Sequence, residues 1–245
     1  MDFQRLKKKL HKFRHTPLHP QWLIFRHENK KLAHLCHKID GTIVDIGCAE
    51  QSPRQYLSDN CEYFGLDYPT TAKNWYHTQP NIYGDAQKLP LKTGSIDNIL
   101  LIDVLEHIPS PQECLKEIHR TLKPHGELVI RVPFMYPIHD SPLDFHRWSI
   151  YGLNQLAKNN GFSPIDTQNT GKPVETAAAL INIALTKTTI TWAQQRNPIV
   201  LLMISLAIVI PLVNVIGMLF SILGPKDTFM PYSYTTTWQK INTHK

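Results

Sequence analysis

The sequence predicts an α/β fold: a doubly wound, mostly parallel seven-stranded sheet, with N-terminal helices before it and an apolar helical insertion ahead of the last strand. Three observations predict it. From residue 42 to 132, short apolar runs alternate with helical segments, the pattern of strands buried under helices on both faces. The run IVDIG ends at Gly47, and 22 residues after Asp45 a second strand, YFGLD, ends in the carboxylate Asp67. Far downstream, YSYTTTWQKI, Tyr232–Ile241, is rich in β-branched and aromatic residues and reads as a closing strand.

In chain order, Phe3, Leu6, Leu10 and Phe13 recur at helical spacing among Arg5, Lys7, Lys8, Lys9, Lys12 and Arg14, which predicts a basic amphipathic helix. Such a helix suits an anionic membrane surface, or equally the edge of a sheet. Strands are expected near 42–46, 62–67, 80–84, 97–102, 127–132 and 162–169. The helix after the fourth strand carries Ser110 as N-cap, Pro111 at its first position, Glu113 to close a capping box, an apolar face of Leu115, Ile118 and Leu122, and Gly126 beyond its end. A further helix is expected from an N-cap at Ser149 through Leu153 and Leu156 to Asn160, stopped by Gly161. The expected divisions are a basic helical region over 1–40, the core over 41–173, the apolar insertion over 174–230, and the returning strand and tail over 231–245.

The formal charge of +6 is local: residues 1–31 hold nine Lys/Arg and two acids, leaving 17 basic against 18 acidic residues elsewhere. A nucleic-acid partner is therefore not expected; the basic charge is an N-terminal patch. Cys36, Cys48, Cys61 and Cys114 form no CxxC pair and read as reduced structural thiols of a cytosolic protein, with no metal site expected. The N-terminus shows basic residues without a following apolar stretch, so no cleavable signal peptide is expected. Gly47 is expected to deliver backbone amides to a bound ligand, and Asp67 to accept both hydroxyls of a ribose. A dinucleotide fingerprint would need glycines at 47, 49 and 52, and Gly47 is the one present, which disfavours a nicotinamide dinucleotide.

The segments IVDIGCAEQSPRQYL, EYFGLDYP, the stretch from IYGDAQKLP through LLIDVLEHIPSP to ELVIRVPF, and DFHRWSIYGLNQLAKNNGF together resemble the class I S-adenosylmethionine-dependent methyltransferases, in the group with an LEH-P motif. The resemblance covers about residues 40–170. It implies a Rossmann-like methyltransferase fold whose last strand runs antiparallel, and S-adenosylmethionine as cofactor. It further implies that Asp45, Gly47 and Cys48 line the methionine and ribose side, that Asp67 binds the ribose hydroxyls, that Asp85 and Ala86 hold the adenine, and that Asp103 faces the methionine end. Ala49 and Gln51 stand where the family has glycines; a left-handed conformation at either costs roughly 1 kcal/mol or more. A cofactor-binding but catalytically silent membrane-associated scaffold is the alternative this departure leaves open. Glu106 and His107 of LEHIP read first as structural, fixing the loop before Ser110, and second as catalytic through His107.

Methyl transfer is an in-line displacement that must align a nucleophile, exclude water and, for a hydroxyl acceptor, provide a base. The segment PFMYPIHDSPLDFHRWS supplies His139, Asp144, His146 and Arg147 as catalytic candidates, with Phe134, Tyr136 and Trp148 beside them. His139 or His146 is the expected base, and Arg147 either holds an anionic acceptor or neutralises Asp144; a structural Asp144–Arg147–Trp148 latch is the competing reading. IDVLEH stands where methyltransferases of DNA bases carry Asn-Pro-Pro-aromatic, so the expected acceptor is a small molecule or lipid-linked, methylated on oxygen. Asn197–Pro225 is a 29-residue run without a charge, long enough to span a bilayer. Three readings are open: a spanning helix kinked at Pro211, a hairpin bending near Pro211 to Asn214, or a packed helical pair. A strand that must return to the same sheet disfavours the spanning helix. Arg196 and Lys226 flank the run and suit one headgroup surface. The expected location is cytoplasmic, peripheral or monotopic at the inner face of a membrane; an oligomeric interface made by the run is a further alternative.

Overall fold

The computed structural model describes residues 12–224 and 229–242. Phe3, Leu6 and Leu10 of the expected basic helix, and Lys226, lie outside the described residues; the chain just after them runs as turns, with Phe13 exposed. Two compact units emerge: one of Leu32–Phe134, Ile138–Asn169 and the chain from Ser233 on, the other of the chain up to Lys31, Met135–Pro137 and Thr170–Tyr232.

The first unit is built on the sheet. Its strands are β1 (Thr42–Ile46), β2 (Glu62–Asp67), β3 (Ile82–Tyr83), β4 (Ile96–Ile102), β5 (Leu122–Pro133), β6 (Phe162–Thr170) and β7 (Ser233–Lys240). They lie in the order β3-β2-β1-β4-β5-β7-β6, with β1 parallel to β2 and β4, β4 parallel to β5, and β7 antiparallel to β5. Alternation explains why the central strands are apolar throughout. Val44, Ile46, Ile99, Leu101, Leu128 and Ile130 enter one core layer, while Ile43, Leu100 and Val129 enter the layer on the opposite face. A parallel strand covered on both sides cannot afford a polar face. The first layer is closed by helix α3 (Pro111–Thr121) through Cys114, Leu115 and Ile118, and by α4 (Ile150–Asn159) through Leu153, Leu156 and Ala157. On the other face Leu35, from helix α2 (Glu28–Cys36), and Ile39 pack against Ile43, Leu100 and Val129.

The sequence signals at the two helices fare differently. Ser149 caps α4 as expected, its Oγ accepting from the Gly152 amide at 3.2 Å, and Gly161 follows in the left-handed region. At α3 the capping box does not form: the Ser110 side chain makes no cap bond, and the Ser110 carbonyl instead accepts the Glu113 amide. Leu122 is not on the helix either. It turns to an extended conformation and opens β5, pairing with Ile96, so Gly126 lies inside a strand rather than beyond a helix. Leu122 is fully buried, a fate that helix and strand satisfy equally, and periodicity could not separate them. β3 is reduced to two residues.

The second unit is a helical hairpin with the short helix α1 (Trp22–Phe25) beside it. Helix α5 (Pro173–Gln194) and helix α6 (Leu206–Leu223) are joined by a 3₁₀ segment, Pro198–Ser205. The bend therefore lies at 195–205, not at Pro211 to Asn214, and α6 continues through Pro211. Packing on α5 explains the continuity: Leu206, Ile210, Asn214, Gly217 and Ser221, at spacings of four, four, three and four, form one buried stripe. A Cβ on Gly217 would stand 2.7 Å from that of Ala178, and Asn182 donates to the Asn214 side chain at 3.0 Å within the seam. The unit's two ends meet, since the Tyr232 amide donates to the Thr170 carbonyl at 2.9 Å.

Candidate active site

The sheet order reverses between β1 and β4, so the loops leaving their carboxyl ends diverge and open a crevice there. Gly47 forms the first turn of the β1 loop at φ +71°, where a Cβ would stand 2.4 Å from a Val104 methyl on the β4 side. Ala49 and Gln51 also take positive φ, +43° and +56°, so the loop keeps the glycine-like path despite its side chains. Its amides are not free, contrary to the expectation from the sequence. Those of Gly47 and Cys48 donate to the Leu66 carbonyl, and that of Ala49 to Asp67 Oδ2 at 3.0 Å. The helix that follows is a 3₁₀ turn, Ser52–Tyr56.

Asp67 is 3% exposed and takes three donors: the Ala49 amide, the Tyr68 amide at 2.7 Å and the Thr71 hydroxyl at 3.1 Å. Asp45, equally buried, accepts one, the Tyr63 hydroxyl at 2.6 Å. Burial drives the Asp45 carboxyl up to about 7 against that hydrogen bond, with the Asp67 charge adding to the rise. Cys48 is buried and pushed up to about 12 by the same loss of solvent, which makes it a packing thiol rather than a nucleophile. None of the four cysteines is in a disulfide. Asp85 accepts the Gln87 amide at 2.8 Å in an Asx turn after β3, with Ala86 packed against the core beside it. Asp103 leaves β4 at φ +55° and pairs with Arg131 of β5, whose Nε donates at 2.9 Å.

Glu106 follows, on a 3₁₀ turn (Leu105–His107), with its side chain fully buried and neither carboxylate oxygen hydrogen-bonded. Burial first, and the Asp103 charge second, hold its carboxyl well above the usual range. The segment after β5 comes back to this turn: the amides of Phe145 and His146 donate to the Glu106 carbonyl, at 2.9 and 3.3 Å. His139 is gripped by Asp144, whose Oδ2 stands 2.9 Å from the His139 amide and 3.2 Å from its Nδ1. Arg147 forks onto Asp144 through Nη1 at 2.5 Å and Nη2 at 2.8 Å, and this pairing holds the Asp144 carboxyl down at about 2. His146 stacks on Trp148 with ring centres 5.0 Å apart. Three of the four catalytic candidates, His139, Asp144 and Arg147, thus form one hydrogen-bonded group, and His146 stands beside it on Trp148. Sequence reasoning missed Tyr63 and Thr71 as partners of Asp45 and Asp67. It also set Glu106 and His107 aside as structural, although a Glu-His pair in the loop just past a parallel strand was the available signal.

Comparison with known proteins agrees with this geometry. The family described as Methyltransferase domain matches residues 44–130. A Mycolicibacterium smegmatis protein bearing the name "Probable S-adenosylmethionine-dependent methyltransferase" is 29% identical over 155 residues, 58% of this chain and 60% of that protein; the chain spans less than two thirds of the curated relatives it matches. An S-adenosylmethionine-dependent methyltransferase of Archaeoglobus fulgidus superposes with a TM-score of 0.56 at 16% identity, covering 88% of this chain and 94% of the other. The Haemonchus contortus phosphoethanolamine N-methyltransferase 2, solved with S-adenosylmethionine, gives 0.51 at 13% identity over 95% of this chain and 60% of its own. These two likenesses are of fold. Residues 44–130 thus match a methyltransferase domain of the class I S-adenosylmethionine-dependent kind, a domain whose cofactor is S-adenosylmethionine.

The residues fit that cofactor. Gly47, Ala49 and Gln51 hold the left-handed path of the loop after β1, and carboxylates stand at or just beyond the carboxyl ends of β2, β3 and β4 as Asp67, Asp85 and Asp103. One adjustment is required. A carboxylate offers about four lone-pair sites, and three on Asp67 are taken, so ribose hydroxyls would displace the mobile donor, the Thr71 hydroxyl, rather than the two backbone amides.

Proposed function

We propose that this protein is an S-adenosylmethionine-dependent methyltransferase acting on an oxygen of a small or lipid-linked acceptor at a membrane surface. The observation that carries the reading is the convergence of His139, Asp144 and Arg147 on the Glu106–His107 turn at the carboxyl end of β4. In this reading Asp67 accepts the ribose hydroxyls, Asp85 and Ala86 receive the adenine, and Asp45, Gly47, Cys48 and Asp103 line the methionine end. When bound, the cofactor supplies a methyl group made electrophilic by its sulfonium. Arg147 fixes Asp144 and Asp144 fixes the His139 ring, so the group that meets the acceptor is oriented before the acceptor arrives, which lowers the entropy lost in aligning the displacement. His146 on Trp148 would wall the acceptor side.

Helix α6 supports the membrane part. Opposite its buried stripe runs a second one, Ile208, Leu212, Ile216, Leu219 and Leu223, all exposed, the last at 85%. Among the described residues α6 is the one helix long and apolar enough to cross a membrane by length and composition. Because the insertion's two ends meet, a helix lying flat in the headgroup region suits the chain better than one crossing it. The protein would then be cytoplasmic and monotopic at the inner face, without a nucleic-acid partner. The silent-scaffold reading draws on one observation, the loop amides and Asp67 already satisfied by the chain itself.

Calorimetry of S-adenosylmethionine against the full chain tests the first part, and flotation with phosphatidylglycerol vesicles the second. We expect micromolar binding that Asp67→Asn weakens at least about 10-fold, and flotation that a Leu212→Glu/Ile216→Glu variant loses. Absence of cofactor binding by the intact chain would hand the case to the scaffold. Binding without flotation at any salt concentration would remove the membrane from the proposal.

A further inference from the structure

The mechanism above leaves one buried group unexplained. Glu106 is fully enclosed and neither of its oxygens meets a hydrogen-bond donor, an arrangement that ordinarily costs several kcal/mol. What faces it is not a donor but two imidazoles: His107 Nε2 lies 3.8 Å and His139 Nε2 4.0 Å from Glu106 Oε1. One ligand atom from each of the three residues falls within 4.8 Å of the others.

Both rings are oriented from behind. His107 Nδ1 lies 2.6 Å from the Leu143 carbonyl, which can only accept, so that nitrogen carries the proton and Nε2 presents a lone pair. His139 Nδ1 lies 3.2 Å from Asp144 Oδ2 and 3.4 Å from Arg147 Nη2; the shorter approach is to the acceptor, which favours the same tautomer. Arg147 pairs with Asp144 and Asp103 with Arg131, and among the described residues no lysine or arginine forms an ion pair with the Glu106 carboxyl. Two imidazoles with Nδ1 backed by a carbonyl and a carboxylate, turned with a carboxylate toward a common point, are the donor set and outer shell of a transition-ion site.

We propose that Glu106, His107 and His139 bind one divalent transition ion of the zinc or cobalt class. Nitrogen donors select against magnesium and calcium, which prefer oxygen shells. Tetrahedral ligands about 2.0–2.1 Å from such an ion stand roughly 3.3 Å apart, so the three groups would draw together by under about 1.5 Å. Three protein ligands leave a position open, and a hydroxyl held there is a stronger acid than in water. Only this last point, what the open position holds, rests on the oxygen-acceptor reading.

The test uses the full chain stripped with EDTA and dialysed, titrated with Zn²⁺ by calorimetry and with Co²⁺ by its visible absorption. We expect one ion per chain, bound at least about 10-fold more weakly by Glu106→Gln and by His139→Ala, and unchanged in His125→Ala, which alters an exposed histidine elsewhere. Asp144→Asn keeps all three ligands and loses only the carboxylate behind His139; it should weaken binding roughly 10-fold or more. No uptake, or uptake that all four variants share, overturns the site. Calorimetry of S-adenosylmethionine on the same stripped protein separates the two proposals. Cofactor binding without ion uptake sinks the ion alone, and ion uptake without cofactor binding sinks the methyltransferase reading alone.

Discussion

Asp67 and Glu106 are both carboxyl groups buried at or just beyond the carboxyl ends of β2 and β4, the parallel strands on either side of β1, and the chain treats them in opposite ways. Asp67 ends β2 with three donors from its own surroundings, one of them the Ala49 amide, which ties the β1 loop down. Glu106, just beyond β4, is given none. A buried charge that the fold itself satisfies is part of how the loop folds. One that the fold leaves bare is poised for something that arrives later. Asp45, with a single donor, lies between the two.

The largest expected effect is at Asp67. Asp67→Ala strips three hydrogen bonds from a charged acceptor and leaves two amides at a buried strand end, a loss of about 5 kcal/mol. Urea denaturation of the cofactor-free protein measures it. A loss under about 1 kcal/mol would mean that the donors find water, and the contrast with Glu106 would dissolve.

The second effect is in pH. The folded-state carboxyl of Asp45 titrates near 7, above its ordinary range, so the group favours folding while protonated and disfavours it once ionised. Stability from this group is intact below the ordinary carboxylate range and falls as pH rises toward 7, by roughly 4 kcal/mol in all. Asp45→Asn keeps an acceptor for Tyr63 and removes the titration. The stability gained by the variant over the parent should be roughly 2–3 kcal/mol larger at pH 8 than at pH 5; an equal gain at both would show that Asp45 ionises normally.

At Glu106 the sign reverses relative to Asp67. Glu106→Gln in metal-free protein removes a buried carboxyl that burial and the Asp103 charge keep from ionising, and should raise stability by about 1–2 kcal/mol at about pH 8, a shift visible as a higher urea midpoint. Lowered stability would mean that an unseen donor completes this carboxylate as it does Asp67.

How far these contrasts were legible in the sequence follows from what sequence patterns record. β1, β2 and β4 fall within a residue of expectation, because strands buried on both faces must be apolar runs and their ends must be polar. The closing β7 was equally plain in its Thr and Trp content. The α3 end was not, since Leu122 is buried in either element. The hairpin bend was misplaced because Pro211 loses one backbone bond while the Asn182–Asn214 seam and the Gly217–Ala178 contact hold the helix through it. At the site, Asp45 and Asp67 were visible from their places at strand ends. Their satisfaction was not, because Thr71 and Tyr63 are ordinary residues whose roles are set by tertiary placement. Glu106 and His139 are separated by a whole helix and strand, and only the fold-back of the Phe145 and His146 amides onto the Glu106 carbonyl brings them together.

The smallest effect concerns the loop that Asp67 ties down. Ala49 and Gln51 hold left-handed angles that cost a non-glycine residue roughly 1 kcal/mol each, a strain the Asp67–Ala49 bond offsets. Glycine at either position relieves the strain but adds freedom to the unfolded chain, so Ala49→Gly should stabilise by only about 0.5–1 kcal/mol, a rise of roughly 2–3 °C in Tm. If the satisfied Asp67 is what keeps the loop closed, the gain should persist in Ala49→Gly/Gln51→Gly while cofactor affinity rises, because the relaxed loop keeps its Ala49 amide on Asp67 and adjusts around the ribose at less cost. A Tm that falls in Ala49→Gly would show that the methyl group is packed rather than tolerated, and that the loop's path is chosen by its side chains instead of imposed by the carboxylate below it.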